Sequence, residues 1–291
     1  MSIESASAAP RRIGIVLGSE RLKSPAIKFF VLAMNKLQRS FEYEFLPAPE
    51  HYVLSVLNAE PVVPRDEIRP RLADLLEETR AKCDRYNDHR GMTTRETFDH
   101  MVVISDGRLS EEYYTMREGI VSVLALGNWD RHLKPPSLLE FIQALVVRES
   151  IAAVCPSLKG SVHFGTRGCL CDFTNSLEDA RHKVLLGFMC ASCRAELVKA
   201  QSEQLAKDVE MLVSKKWVGK LEDANSVTSI LGKFGHRLFT TVGIKPTLWE
   251  STLTQVRSEG LKQFVEVLWK LVLALAVLSL ANDEVRKLLF H

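Results

Sequence analysis

No histidine of this 291-residue sequence is followed by glutamate, so the H-E-x-x-H arrangement of zinc peptidases is absent. A G-x-G-x-x-G fingerprint and a Walker lysine are missing as well; Gly14-Ile15-Val16-Leu17-Gly18 reads as a strand ending in a turn. No G-x-S-x-G elbow supports a triad drawn from Ser19, Asp106 and His132. The formal net charge is only +2, which supplies no basic footprint for nucleic acid. Long apolar runs are lacking. The segment 263–281 contains Glu266 and Lys270, and its uninterrupted part, Leu271–Leu278, falls far short of the roughly 18–20 residues that cross a bilayer. A buried bundle helix or an oligomer interface is the expectation there, with membrane association as the lesser alternative. The first residues, MSIESASAAPRR, carry no apolar run, so neither a signal peptide nor an anchor is expected.

What is present is an ordinary globular composition, 46% hydrophobic and 25% charged, enough to build a sizeable core. Arg12–Gly18 is rich in β-branched residues and reads as a buried strand. Ser24-Pro25 reads as a helix start, with the helix running to about Arg39. Phe41–Leu46 alternates apolar and charged residues, as a half-buried strand does. Residues 47–64 read as a turn-rich connection, 66–83 as a helix with Pro70 tolerated only near its start, and 84–96 as a surface loop. Strands are expected at 100–105 and 120–125, and a long helix at 138–154 behind Pro135-Pro136-Ser137. Strands alternating with helices predict an α/β layer arrangement. Residues 155–188 read as irregular, a helix should open at Cys190 and run to about Trp217, and only helical patterning follows to the end.

Four of the six cysteines, Cys169, Cys171, Cys190 and Cys193, fall within 25 residues. With a cytoplasmic, reducing location expected, such a cluster points to metal rather than to disulfides. Cys190-Ala191-Ser192-Cys193 at a helix start places two thiolates on adjacent corners of a tetrahedron, where the helix N-terminus favours their charge. Cys169 and His163 suit the other two positions, because Gly165 and Gly168 let the intervening loop curl tightly. Cys171 is the reserve ligand and His182 a further alternative; buried free thiols are the competing reading. Four protein ligands would fill the shell of Zn2+ and leave no place for a reactive water, so the expected zinc is structural.

The same segment, Cys169-Leu170-Cys171-Asp172-Phe173-Thr174-Asn175-Ser176 followed by Phe188-Met189-Cys190-Ala191-Ser192-Cys193-Arg194, resembles the tail of the archaemetzincins. In those zinc metallopeptidase-like proteins an extended H-E-x-x-H motif precedes a cysteine-bearing loop and a C-x-x-C pair. Upstream, His100–Asp106 with Leu109 is similar to the family's strand ending in T-D-x-D-L. The resemblance spans about residues 10–197 and is specific over 169–194. It implies a zincin-like mixed sheet with flanking helices and a zinc-stabilised loop. In the slot of the catalytic helix the sequence reads Arg148-Glu149-Ser150-Ile151-Ala152. Glu149 keeps the general-base position, while Arg148 and Ala152 replace both zinc-binding histidines. The first tail cysteine of the family falls on Phe164, with His163 beside it; Cys171 stands where a methionine follows the second; and the spacing to C-x-x-C is one residue longer. Without a catalytic metal, Glu149 has no activated water to serve.

The expected organisation is therefore a disordered 1–10, an α/β zinc-binding domain over 11–197, and an all-helical C-terminal domain over 198–291. The leading functional expectation is a non-catalytic zinc-binding scaffold or regulatory protein, its C-terminal helices meeting a partner protein or another copy of the chain. One alternative is a hydrolase with a relocated active site around Glu149 and His132, aided by Asp106 and Arg148. Another is an effector whose C-terminal helices act on membranes or proteins in bacterial stress or defence. The loop Gly127–His132, after a strand, offers Trp129 and His132 as pocket residues.

Overall fold

The computed structural model describes residues 9–19, 22, 25–60, 62–91, 97–127, 135–160, 163, 166–174, 177–235 and 269–270. The chain divides into two units, Met1–Ile244 and Lys245–His291. The first unit is built on a five-stranded mixed sheet. Its strands are β1 (Arg11–Leu17), β2 (Phe41–Leu46), β3 (His100–Ser105), β4 (Thr115–Glu118) and β5 (Val121–Ala125), in the order β2-β1-β3-β5-β4. All neighbours pair parallel except β4, which runs antiparallel to β5 at the edge.

Strand alternation sends apolar side chains to two cores, one on each face of the sheet. Ile13, Ile15, Val102, Ile104 and Leu124 enter one core; Val16, Met101, Val103, Val121 and Val123 enter the other. Helices α2 (Tyr52–Ala59), α3 (Arg65–Ile68) and α4 (Leu72–His89) cover the second face. The first face is covered by α1 (Pro25–Ala33), α5 (Leu138–Val154), α6 (Leu177–Leu186), α7 (Ala191–Ala200), α8 (Glu203–Ser214) and α9 (Val227–Lys233). Helix α5 is buried nearly all round and opens with a capping box, in which Ser137 and Glu140 satisfy each other's backbone N–H groups. Polar groups on such a helix must find partners inside the protein, and this places Arg148 and Glu149 in structured surroundings.

Several expectations shift in register. Helix α1 gives way to a 3-10 turn at Met34–Lys36 instead of reaching Arg39, because the Gln38 side chain exchanges hydrogen bonds of 2.7 Å with both backbone groups of Phe41 and starts the next strand. Residues 52–59, expected as connection, form α2 behind a His51 cap. Helix α4 continues through 84–89, expected as loop. Pro70 sits in the 3-10 turn between α3 and α4, where its missing N–H is tolerated. The helix expected from Cys190 to Trp217 is two helices. Ser202 caps α8 through Leu205 N–H, and left-handed Lys215 ends it.

Helices α8 and α9 lie in the first unit's core. Leu205, Val209, Leu212 and Leu231 are buried in the same cluster as Phe30 and Ile142, and Trp217 stacks on Phe30 at 5.2 Å. Buried Asp208 accepts hydrogen bonds from Ser40 Oγ and from the N–H groups of Arg39 and Ser40. The boundary expected after residue 197 thus falls inside this unit, since helical periodicity reveals an apolar face but not what covers it. Of the second unit only Trp269 and Lys270, both exposed, are described, so the apolar run 271–278 lies outside the described residues. No helix among the described residues is long and apolar enough to cross a membrane.

Candidate metal centre

Between α5 and α7 the chain makes two passes that meet. His163 forms an isolated bridge with Asp172, and Cys169 with Phe188. Gly168 (φ +78°) and Gly187 (φ +55°) occupy left-handed backbone that favours glycine. A Cβ on Gly187 would come within 2.3 Å of the Val213 carbonyl oxygen, so only glycine lets this pass lie against the end of α8. Cys190 then takes the N-cap position of α7, with Cys193 in its first turn.

These passes bring four donors together. One ligand atom from each of His163, Cys169, Cys190 and Cys193 lies within 4.8 Å of all the others. His163 Nε2 stands 3.2 Å from Cys190 Sγ and 3.4 Å from Cys193 Sγ. Zinc bond lengths of about 2.0–2.3 Å place neighbouring tetrahedral donors about 3.5–3.8 Å apart, so the set is close to the size the ion requires. His163, Cys169 and Cys193 are buried and Cys190 is half-buried. Among the described residues no other group of three or more His, Cys, Asp or Glu side chains is placed to hold a metal.

The surroundings orient the donors. The Asp172 carboxylate lies 2.8 Å from His163 Nδ1 and accepts its N–H, which leaves the Nε2 lone pair facing the thiols. Asp172 is itself fixed by the N–H groups of Arg167 (2.6 Å) and Cys169 (3.0 Å). Cys169 Sγ accepts the backbone N–H groups of Cys171 (3.4 Å) and Cys190 (3.3 Å), which hold the sulfur in place. Burial opposes ionisation of Cys190, yet hydrogen bonds from Ser192 and Cys193 bring its pKa below the ordinary thiol value. Hydrogen bonds with Cys169 and Cys171, added to burial, push the Cys193 thiol up. Thiols this close resist shedding several protons together, a penalty that a dication at their centre removes. Burial also disfavours a charged His163, but Asp172 and the neighbouring thiols outweigh it and raise its pKa. A metal must displace that proton, so uptake weakens as pH falls.

Cys171 is buried and hydrogen-bonded to the Cys169 and Cys193 thiols, but it stands outside the four mutually close donors. Asp172 was not legible as an orienting group, although a carboxylate inside a ligand loop is the kind of signal that marks one. His182, the further alternative, is exposed on α6.

Glu149 is directed elsewhere. Its Oε2 accepts hydrogen bonds from Arg117 Nη2 (2.5 Å), Arg117 Nε (2.9 Å) and Ser122 Oγ (2.6 Å), and Glu149 is only 3% exposed. Buried His100 lies 2.8 Å from Ser122 Oγ. Because that hydroxyl donates to Glu149, the ring donates its Nε2–H to Ser122. Ser122, 0% exposed, is thus a relay within a packed network, not an accessible nucleophile. Ala152 carries no donor side chain, and Arg148 Nη2 donates to the Gly160 carbonyl at 2.7 Å. Glu149 and Arg148 both line a cavity of about 220 Å³. Asp106 is not among its lining residues, and Trp129 and His132 lie outside the described residues.

No protein-family model matches the chain, and no curated protein does. Among solved structures the chain is similar to archaemetzincin from Methanopyrus kandleri, at 14% identity and a TM-score of 0.42, over 67% of this chain and 97% of that one.

Proposed function

We propose that this chain is a non-catalytic scaffold on an archaemetzincin-like fold. A structural zinc locks it, and it works in a reducing compartment through contacts with a partner protein or a second copy. The observation that carries the reading is the set of four converging donors, one imidazole and three thiols. Soft sulfur donors with imidazole suit Zn2+ and not Mg2+ or Ca2+. Four protein ligands leave no coordination position for a water, so zinc here ties the loop 163–174 to the start of α7 and activates nothing. The pairing of Glu149 with Arg117 supports the same reading, because its Oε2 is already engaged by Arg117 and Ser122 and Glu149 is not among the converging metal donors. Interaction through the C-terminal helices is the expected mode of action, in place of peptide hydrolysis.

Metal analysis of the purified full chain tests this. About one zinc per chain is expected, falling away in Cys169→Ser and Cys193→Ala. In Asp172→Asn zinc affinity should drop about 10–100-fold, the usual effect of removing a carboxylate behind a ligand histidine. A mixed fluorogenic peptide library should stay uncut with or without added zinc. Wild-type protein without stoichiometric metal would overturn the lock. Hydrolysis that disappears in Glu149→Gln would establish the relocated hydrolase instead, a reading favoured by the position of Glu149 on a cavity wall.

A further inference from the structure

The cavity beside Glu149 has an unbalanced lining. Six cationic side chains, Arg65, Arg69, Arg117, Arg148, Lys159 and Lys183, face only two carboxylates, Glu149 and Asp172. Both carboxylates are already engaged, Glu149 by Arg117 and Asp172 by His163 and two backbone N–H groups. Arg65 has an exposed ion pair with Glu111 at 3.5 Å and stacks on the Tyr113 ring at 3.9 Å.

Two of the cations are buried without a carboxylate partner among the described residues. Lys183, 4% exposed, donates only to Tyr114 Oη (2.9 Å) and the Asp172 carbonyl (3.2 Å). Arg148, 9% exposed, donates Nη2 to the Gly160 carbonyl, and its buried Nη1 has no hydrogen-bond partner. Arg65 Nε and Arg69 Nε are buried and unpartnered in the same way. Burying a guanidinium and an ammonium with only neutral acceptors is costly, and so is leaving a buried N–H unmade. Clustering of these costs around one cavity gives them a common solution, a ligand that carries both the negative charge and the missing acceptors.

We infer that this cavity is an oxyanion site whose ligand is a phosphate group, free or on a small phosphomonoester. Guanidinium groups match phosphate oxygens in a planar fork, and lysine adds a point charge. A tetrahedral dianion offers oxygens in several directions at once, which suits cations arriving from the α3–α4 turn, α5, the loop at Lys159 and α6. A planar carboxylate reaches fewer of them. The volume, about 220 Å³, lies below the range of roughly 300–1,000 Å³ typical of larger organic ligands, so the phosphate group fills much of the space. Through Lys183 and the Asp172 carbonyl the cavity also touches the loop that holds the metal donors.

Isothermal titration calorimetry on the purified full chain, at matched ionic strength, tests the site with inorganic phosphate, glycerol 3-phosphate, acetate and chloride. The expectation is sub-millimolar binding of at least one phosphate probe, with acetate and chloride silent. Binding of both probes assigns a phosphomonoester; binding of inorganic phosphate alone assigns the free ion; either supports the site. Arg148→Met and Lys183→Met should each weaken binding 10-fold or more, while Lys199→Met, on exposed α7 surface, leaves it unchanged. Arg69→Gln and Lys159→Met, at less buried positions, supply the same comparison where a buried variant does not fold. Silence of both phosphate probes, equal response to acetate, or full binding by folded Arg69→Gln and Lys159→Met proteins would overturn the assignment. Zinc stoichiometry is read separately, so failure here is distinct from failure of the metal lock.

Discussion

The metal cluster and the Glu149 network are both buried polar assemblies, and they are wired in opposite senses. At the cluster, the lone pairs of one imidazole and three thiols converge on a shared point, while Asp172 and the backbone N–H groups of Cys171 and Cys190 hold them from outside. At Glu149, the carboxylate is met by Arg117 and Ser122, and His100 supports Ser122 in turn. The first arrangement is completed by an added cation; the second is already neutral. Burial of polar groups is thus a weak marker of a ligand site in this fold, and like-natured groups aimed at one another are a strong one.

The sharpest way to break that comparison is to remove the ion. At free zinc about 1,000-fold above Kd, the ion contributes about 4 kcal/mol of stability. Urea unfolding with a strong chelator should therefore show a loss of at least about that size, and Cys193→Ala should behave like chelated wild type. Unchanged unfolding midpoints would mean that the thiols are ordinary core residues.

The Glu149 side of the comparison predicts a smaller effect of a different kind. Glu149→Gln leaves the mostly buried Arg117 guanidinium without its counter-charge. The expected cost is about 3 kcal/mol, with zinc content unchanged. The double variant Arg117→Met/Glu149→Leu removes both charges and should lose much less, because an apolar pair of similar volume replaces a desolvated ion pair. Denaturant titration of the two proteins, with metal analysis alongside, separates these outcomes. Zinc loss in Glu149→Gln would show that the two regions are one site.

What the sequence made legible follows the range of each interaction. Strands β1, β2, β3 and β5 and helix α5 carry their evidence locally, in β-branched runs and in Ser137 ahead of Glu140. The C-x-x-C at a helix start and Gly168 before Cys169 are local signals too, and the structure brings those cysteines together with His163. Strand β4 was not legible, because only Met116 is buried in an otherwise polar edge strand. Helix α2 was hidden by β-branched residues between prolines, and its start depends on His51 accepting the Val53 N–H. The Glu149–Arg117 pair joins residues 32 positions apart, and Asp208 meets Ser40 across 168. No periodicity carries such information. The same limit concealed that α8 and α9 close the first core.

His100 supplies the smallest and most discriminating measurement, because it supports the Glu149 network and not the cluster. Burial drives its pKa from the ordinary 6.5 down to about 4; the Glu149 charge pulls upward without prevailing, and Arg117 adds to the lowering. Between these two values the unfolded chain binds a proton that the folded protein refuses, so stability falls as pH falls from about 6.5 toward 4. From pH 6.5 to 5.5 the loss from this residue comes to about 1 kcal/mol. Proton competition for His163 and the thiols also weakens the protein in acid, through zinc release. The two contributions separate in a difference measurement, in which wild type and His100→Gln are unfolded at both pH values with zinc content monitored. His100→Gln should lose about 1 kcal/mol less over that interval at equal zinc occupancy. An identical acid loss in both proteins would mean that His100 titrates normally and that the Glu149 network is open to water.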